Sequence, residues 1–427
     1  MNPTIGLFVI FFVSLMLGVP VIFSLALSSI FYLLVTDMGL AIMANQFFSG
    51  MDSFVLLCIP GFLLAGGLMN GGGITDRIVS FSNAWLGHIR GGLAMANVSG
   101  SMIFAGISGT AVSEAASIGS VMIPAMKRSG YDAPFSGAIT AVASTVGPII
   151  PPSVPMIIVG TLTGLSVGKL FIAGAVPGLM MGLTMASIAW YLAHKRGYPK
   201  GERATFRQRL HATRGAIWAI LMPVMIIGGL VTGLFTPTEA SVFAVVFSLI
   251  VGFFVYGDLT VNKFMGCMME SISGTAGILM LVGFANVFAW ILTSEGIPQQ
   301  IADGMLSITN NKYLLILMIN LLLLLVGMFM ETIAALLILF TQLLSVATAI
   351  GMDPIHFAVM MVMNLVIGLT TPPVGVCLFV SQGIARVSLG EISKAVIPFI
   401  TGNIILLFMV SYIPGLSLWL PALLGMK

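Results

Sequence analysis

The stretch Gly147–Pro155, GPIIPPSVP, separates two runs that each read as apolar helix: FSGAITAVASTV (135–146) upstream and MIIVGTLTGL (156–165) downstream. Pro148, Pro151, Pro152 and Pro155 carry no backbone donor and, with Gly147, cannot continue a helix. The surroundings of this break are hydrocarbon. Of the 427 residues, 58% are hydrophobic and 7% charged, against about 25% charged in a soluble domain, and the mean hydropathy is +1.11. Long apolar runs at 4–36, 54–70, 132–164, 170–193, 215–256, 265–293 and 313–350 predict many membrane spans. In a bilayer, every carbonyl freed by such a break must find a partner or line a cavity.

Composition excludes several function classes. The net charge of +3 is small and local, so no nucleic acid is expected as a partner. Cys58, Cys267 and Cys377 stand alone at non-motif spacings, and the four histidines are scattered. Neither a disulfide framework nor a transition-metal site is expected. The opening MNPTIGLFVIFF lacks the basic segment and cleavage site of a signal peptide and reads as the first membrane helix.

The break occurs twice. A shift of 221 residues brings Gly147 onto Gly368 and Pro151-Pro152 onto Pro372-Pro373, inside GLTTPPVGV (368–376). The same shift pairs Gly106 with Gly327, Gly130 with Gly351, Asp132 with Asp353 and Pro177 with Pro398. Further upstream, Gly61-Phe62 matches Gly283-Phe284 at 222, and Gly73-Ile74 matches Gly296-Ile297 at 223. A nearly constant shift through glycines, prolines and an aspartate points to duplication. Repeat one is 1–193, with scaffold helices at 4–36, an arm at 72–90, a hairpin at 91–127 and a broken helix at 132–164. Repeat two is 215–427, with scaffold helices at 215–256, an arm at 294–312, a hairpin at 313–350 and a broken helix at 355–385. Both scaffold stretches read as free of such breaks.

Between the copies, residues 194–214 carry seven Lys and Arg residues in the only long polar stretch, which is cytoplasmic by the positive-inside rule. Threading outward with each hairpin re-entering on the side it came from puts Arg77, Arg90, Lys127, Arg128, Lys263, Arg386 and Lys394 inside as well. Only Lys169, Lys312 and Lys427 then remain outside, and the N-terminus is periplasmic. This arrangement requires the two repeats to be inverted. The expected fold is an all-α polytopic membrane protein with inverted repeats, two re-entrant hairpins and two discontinuous helices. Inverted repeats with interrupted helices at matching positions point to the binding site of a secondary transporter. Half-helix ends there offer carbonyls to cations and N–H groups to an anion.

Each break follows a hairpin whose middle is small and polar. In the first, AGISGTAVSEAAS (105–117), Ser108, Gly109, Thr110 and Ser113 can bring hydroxyls and close backbone to one point. In the second, VGMFMETIAA (326–335), Gly327 and Thr332 are the candidates. Ser144, Thr145 and Ser153 around the first break, and Asn364, Thr370 and Thr371 around the second, are the remaining polar groups at the right depth. Oxygen ligands without a carboxylate cluster suit a hard monovalent cation such as sodium. Two readings stay open for the Ser and Thr residues, since such hydroxyls also bond back to their own helix carbonyls. Glu114 and Glu331 are intramembrane acids, either partners of free helix N–H groups or ion-handling groups. They do not align, because Glu331 falls opposite Thr110 at the repeat shift. Glu239, in TPTEAS, reads instead as the third residue of a capping box begun by Thr236 with Pro237 in the first turn.

The hairpins, GPIIPPS, GLTTPPVG, FTPTEAS and AGISGTAVSE together resemble the large membrane subunit of the TRAP (tripartite ATP-independent periplasmic) transporters over essentially the whole chain. The resemblance implies a non-enzymatic, sodium-driven importer of organic acids, of the sialic acid or C4-dicarboxylate class, in the bacterial inner membrane. It implies an elevator, in which a transport domain of hairpins and broken helices slides against a scaffold. It also implies two partners, a small four-helix membrane subunit (Q type), expected here as a separate chain, and a periplasmic substrate-binding protein (P type). Two sodium ions follow from the family. One would use the tip Ser108, Gly109 and Thr110 with Ser144, Thr145, Gly147 and Pro148. The other would use the Gly327–Thr332 tip with Asn364, Gly368, Thr370 and Thr371.

The alternative is a self-sufficient sodium-coupled carboxylate or Na⁺/H⁺ transporter of the same superfamily. A channel would draw its symmetry from oligomers rather than inverted repeats. An intramembrane enzyme would need a catalytic pair within helices, and only His356 lies near one, with no aspartate pair beside it.

Overall fold

The computed structural model describes residues 3–309 and 311–426. Lys427, expected outside, the first two residues of the opening helix, and Asn310 of the second arm lie outside the described residues. The described chain is helical, with no strand among the described residues beyond an isolated bridge between Arg90 and Lys200.

The expectation of an unbroken 4–36 is corrected. That stretch is two helices, α1 (Pro3–Met16) and α2 (Val21–Val35), packed on each other. Gly18 takes a left-handed φ of +82°, and Pro20, which has no N–H, caps α2. At 14 and 15 residues, each is about 21–23 Å long, short of a hydrocarbon core of about 30 Å. After α3 (Ala41–Met51) the first copy continues as α4 (Cys58–Gly71), α5 (Ile74–Leu86), the hairpin α6 (Gly92–Ser108) and α7 (Ala111–Arg128), the halves α8 (Ala133–Ala143) and α9 (Val154–Thr163), and α10 (Val167–Lys195).

The second half opens with α11 (Phe206–Val231) and α12 (Pro237–Ile250), so the 215–256 stretch is also divided, at residues 232–236. Thr236 makes the expected capping box there: its N–H donates to Glu239 Oε2 at 2.8 Å while its Oγ1 accepts from Glu239 N at 3.3 Å. Then come α13 (Val261–Ser294), α14 (Ile297–Ile308), the hairpin α15 (Lys312–Gly327) and α16 (Thr332–Ala349), the halves α17 (Pro354–Gly368) and α18 (Val376–Ala385), α19 (Leu389–Tyr412) and α20 (Gly415–Leu423). The order from α4 to α10 recurs from α13 to α19: a span, a short arm, a two-helix hairpin, a helix broken at a proline pair, and a long helix with an internal proline. Among the described residues, seven helices are long and apolar enough to cross a membrane. One, α19, is absent from the apolar runs read in the sequence, because Glu391, Lys394, Thr401 and Asn403 interrupt its hydropathy.

Two packing groups emerge. The helices α2, α3 and α4 pack on α13, and α12 packs on α4, whereas α7, α8 and α18, with α15, α17, α19 and α10, form a second cluster. The linker is tied to the second. Tyr198 OH donates to Asp132 Oδ2 at 2.5 Å, at the cap of α8, and Arg196 lies over the Phe135 ring at 5.4 Å. Burial, and then the bond to Asp132, push the Tyr198 phenol up to about 12, so it remains a donor at any physiological pH.

Candidate functional site

Both breaks contain a cis Pro–Pro bond, at Pro151-Pro152 and Pro372-Pro373. Just before the first, a single 3-10 turn carries Ser144 and Thr145, whose hydroxyls donate to Ala141 O at 2.8 Å and Val142 O at 2.7 Å. Before the second, Thr370 and Thr371 each donate to Ile367 O at 2.9 Å. All four side chains are buried. Back-bonding, one of the two open readings, is thus observed, and it does not remove these residues from a site. A hydroxyl that places its proton on its own helix keeps its lone pairs for a cation. Ser153 acts differently. It donates to Pro148 O and caps α9 by accepting from Met156 N at 3.2 Å, which leaves one lone pair on the Pro148 carbonyl.

Each hairpin tip rests on the break that follows it. Gly109 turns with φ +62°, and a Cβ there would lie 2.7 Å from Pro152 O. Ser108 Oγ donates to Thr110 O at 3.5 Å, across the tip. In the second copy the contact is backbone on backbone, since a Cβ on Gly368 would sit 2.4 Å from Gly327 C and 2.6 Å from its Cα and O. Gly375 N donates to Met328 O at 3.5 Å and closes the same junction. The equivalent glycines of the first copy do not meet this way. A Cβ on Gly106 would strike the Pro223 ring of α11 at 2.5 Å, and one on Gly147 would strike Glu114 Oε2 at 2.4 Å.

The two acids separate cleanly. Glu331 is the N-cap of α16, accepting from Ile333 N at 2.8 Å and Ala334 N at 3.3 Å. Thr110, its partner at the repeat shift, is the N-cap of α7 but makes no side-chain cap. Glu114 lies one turn inside α7, wholly buried, with neither carboxylate oxygen hydrogen-bonded and the Ser101 hydroxyl beside it. Thr332 Oγ1 is buried without a partner, and Asn364 donates its amide to Asn320 of α15.

One residue outside the expected set shows that the halves converge. Cys377, at the start of α18, lies within hydrogen-bond reach of Ser144 and in electrostatic range of both Glu114 and Glu331. The start of α18, after the second break, therefore packs beside α7 and α8, before the first. Among the described residues no Lys or Arg is buried. The positive elements available are the N-termini of α7 and α18, which no side chain caps. Ser101, Asn320 and Cys377 were missed in the sequence; only Asn320 carried a signal, as the one polar residue in YLLILMINLLLLL. A cavity of about 310 Å³ is lined by Ser49, Asp52 and Ser53 around the end of α3, by Asn286 of α13, and by Thr161 of α9 and Leu337 of α16.

Comparison with known proteins gives the family. Residues 8–416 match the family profile described as the tripartite ATP-independent periplasmic transporter, DctM component. The sialic acid TRAP transporter large permease protein SiaM of Vibrio cholerae is 39% identical over 95% of this chain and 95% of its own. The C4-dicarboxylate TRAP transporter large permease protein DctM of Pseudomonas aeruginosa is 41% identical over 90% of each chain. Among solved structures, the Alcanivorax borkumensis YdaH transporter shares the fold, with a TM-score of 0.62 at 16% identity over 88% of this chain and 87% of its own. The chain belongs to the TRAP transporters, as a large permease of the DctM type.

Proposed function

We propose that this permease couples sodium entry to the import of an organic acid across the bacterial inner membrane. One observation carries the reading: Glu114 and a set of hydroxyl and amide oxygens at the hairpins and breaks are buried, in an interior where no basic side chain is buried among the described residues. An organic anion entering such an interior adds negative charge that uncapped helix N-termini offset only in part. Co-bound monovalent cations supply the remainder. The sodium ions are placed at the two tip–break junctions, one at Ser108–Thr110 with Ser144, Thr145, Gly147 and Pro148, the other at Gly327–Thr332 with Asn364, Gly368, Thr370 and Thr371. The substrate lies between them. Relatives named for sialic acid and C4-dicarboxylate transport support a carboxylated substrate.

The halves are placed in opposite orientation, with 194–214 cytoplasmic and the N-terminus periplasmic. The hairpin–break units, about 91–164 and 313–385, move together against the remaining spans as an elevator. A small four-helix membrane subunit steadies the fixed part, and a periplasmic binding protein delivers the substrate.

The test is reconstitution. The chain alone in proteoliposomes, with an inward sodium gradient and free substrate, is expected to transport almost nothing. Uptake is expected once the small subunit and loaded binding protein are added. Robust uptake by the isolated chain would replace this reading with a self-sufficient sodium-coupled or Na⁺/H⁺ transporter. A finer test uses the hydroxyls of the second break. Replacing Thr370 and Thr371 together with Val keeps shape and removes both oxygens. The sodium concentration for half-maximal uptake is expected to rise about tenfold, roughly 1.4 kcal/mol, whereas Ser at both positions preserves it. Unchanged sodium dependence in the Val variant moves the ion elsewhere.

A further inference from the structure

We infer that Asn320 is a positioning residue, holding the Asn364 amide so that its Oδ1 is the atom turned to the coupling ion. The inference rests on the sodium reading above and concerns how one ligand of that site is oriented. Asn364 Nδ2 donates to Asn320 O at 3.0 Å and to Asn320 Oδ1 at 2.8 Å. Both amide protons are thereby placed. Asn364 Oδ1 has no hydrogen-bond partner, in a side chain with no exposure at all.

This orientation cannot be reversed cheaply. A backbone carbonyl has no proton to give, so turning the Asn364 amide over would set its oxygen against Asn320 O with nothing between them. Asn320 is fixed by the same device. Its Nδ2 donates to Ile316 O at 2.9 Å and to Ser411 Oγ at 3.1 Å, and Ser411 Oγ in turn donates to Leu407 O at 2.7 Å. A chain of bonds anchored on backbone carbonyls thus ends at one oxygen that is buried, bare and able only to accept. Burying an acceptor without a partner is expensive unless a cation or donor arrives. Asn364 lies one turn before Gly368, at the junction of hairpin tip and break.

The first half contains a related arrangement, at positions that do not align at the repeat shift and with the two helices in exchanged roles. Asn97 of α6 donates Nδ2 to Thr140 Oγ1 of α8 at 2.7 Å, and Asn97 Oδ1 is likewise buried without a partner. The leading hairpin helix and the first half of the broken helix are joined by an amide in both copies, and both amides leave an oxygen free. The chemistry selected is that of a small hard cation, for which a neutral amide oxygen is a good ligand.

The experiment measures sodium-dependent thermal stabilisation of the purified full chain, together with the sodium dependence of uptake by the complete transporter. Asn320→Leu keeps the backbone carbonyl at that position but removes the 2.8 Å bond to Oδ1 and the anchoring bonds of the Asn320 amide, and is expected to raise the half-effective sodium concentration about threefold. In the Asn364→Asp background the same substitution is expected to cause no loss. A carboxylate presents an oxygen whichever way it is turned, and removing Asn320 Oδ1 relieves a repulsion. Ser411→Ala, a milder release of Asn320, should give a smaller shift with the same suppression, and it serves if Asn320→Leu fails to fold. Equal losses in both backgrounds would show a merely structural role for Asn320 and overturn the inference. Sodium binding sensitive to Asn364→Leu but indifferent to Asn320→Leu would overturn the positioning alone. Indifference to Asn364→Leu would remove the ion from this break, and the sodium site proposed there with it.

Discussion

Uptake by the complete transporter is expected to fall about 100-fold when Gly368 is replaced by Ala, a change of a single methyl group. The methyl carbon would lie 2.4 Å from Gly327 C and 2.6 Å from both Cα and O of that residue. These are backbone atoms on a hairpin tip, so no rotamer change relieves the clash and α15 must move away from α17. Overpacking of this kind costs about 1–3 kcal/mol, and the displacement falls where the tip and the second break are proposed to share an ion. Gly383→Ala is the control, because a Cβ there meets nothing within 4 Å and the residue sits in α18 close to the same break. It should transport normally. Thermal stability of the purified variants separates the effects: Gly368→Ala should lose its response to sodium by more than it loses stability in sodium-free buffer. Normal uptake by Gly368→Ala would show that the second junction need not close, and would leave the first junction as the only ion site.

How much of this was visible in the sequence depended on the type of signal. Proline pairs and glycines in an apolar run announce a break directly, since no neighbour restores a missing donor, and both breaks and both hairpins were legible on that basis. The interruption of 4–36 was not, because one glycine and one proline at Gly18 and Pro20 are weak marks inside an otherwise continuous apolar stretch. The span α19 was hidden for the opposite reason. Its polar residues are accommodated one by one, Glu391 in a capping box with Ser388, Thr401 by donating to Ile397 O at 2.9 Å and Asn403 in the core, so they lower the hydropathy of a helix that still spans. Glu114 and Glu331 were indistinguishable as letters. Their difference lies in backbone conformation: Glu331 occupies a cap with φ −67° and ψ 146°, while Glu114 lies within a helix. The meeting of Cys377 with Ser144 joins residues more than 200 positions apart, and no local pattern carries it. The repeated glycines illustrate a related limit. Gly106 and Gly147 stand in register with Gly327 and Gly368 at the 221-residue shift, yet only the later pair touch, because Pro223 lies against Gly106 and Glu114 against Gly147.

Bridging the 310 Å³ cavity is expected to stop transport altogether and reversibly. Ser53 lies in the segment between α3 and α4, Thr161 lies near the end of α9, and both line the cavity, so the pair joins the group around α13 to a broken helix. Cys58, Cys267 and Cys377 must first be replaced by Ala, and that background must transport before the pair Ser53→Cys and Thr161→Cys is introduced. A bifunctional thiol reagent with a cleavable disulfide spacer then holds the walls at one separation. If the hairpin–break unit travels by a helix turn or more during each cycle, a short tether forbids the motion, and uptake should drop below about a tenth of its untreated rate. Reductant should restore it, and either cysteine alone should be unaffected by the reagent. The same tether distinguishes an elevator from a local gate. Opening a tip by a few ångströms would leave α9 beside the segment before α4, and the bridged protein would transport at full rate. A bridged yet active transporter would therefore confine the moving parts to the tips at Ser108–Thr110 and Gly327–Thr332, and the substrate would pass between stationary halves.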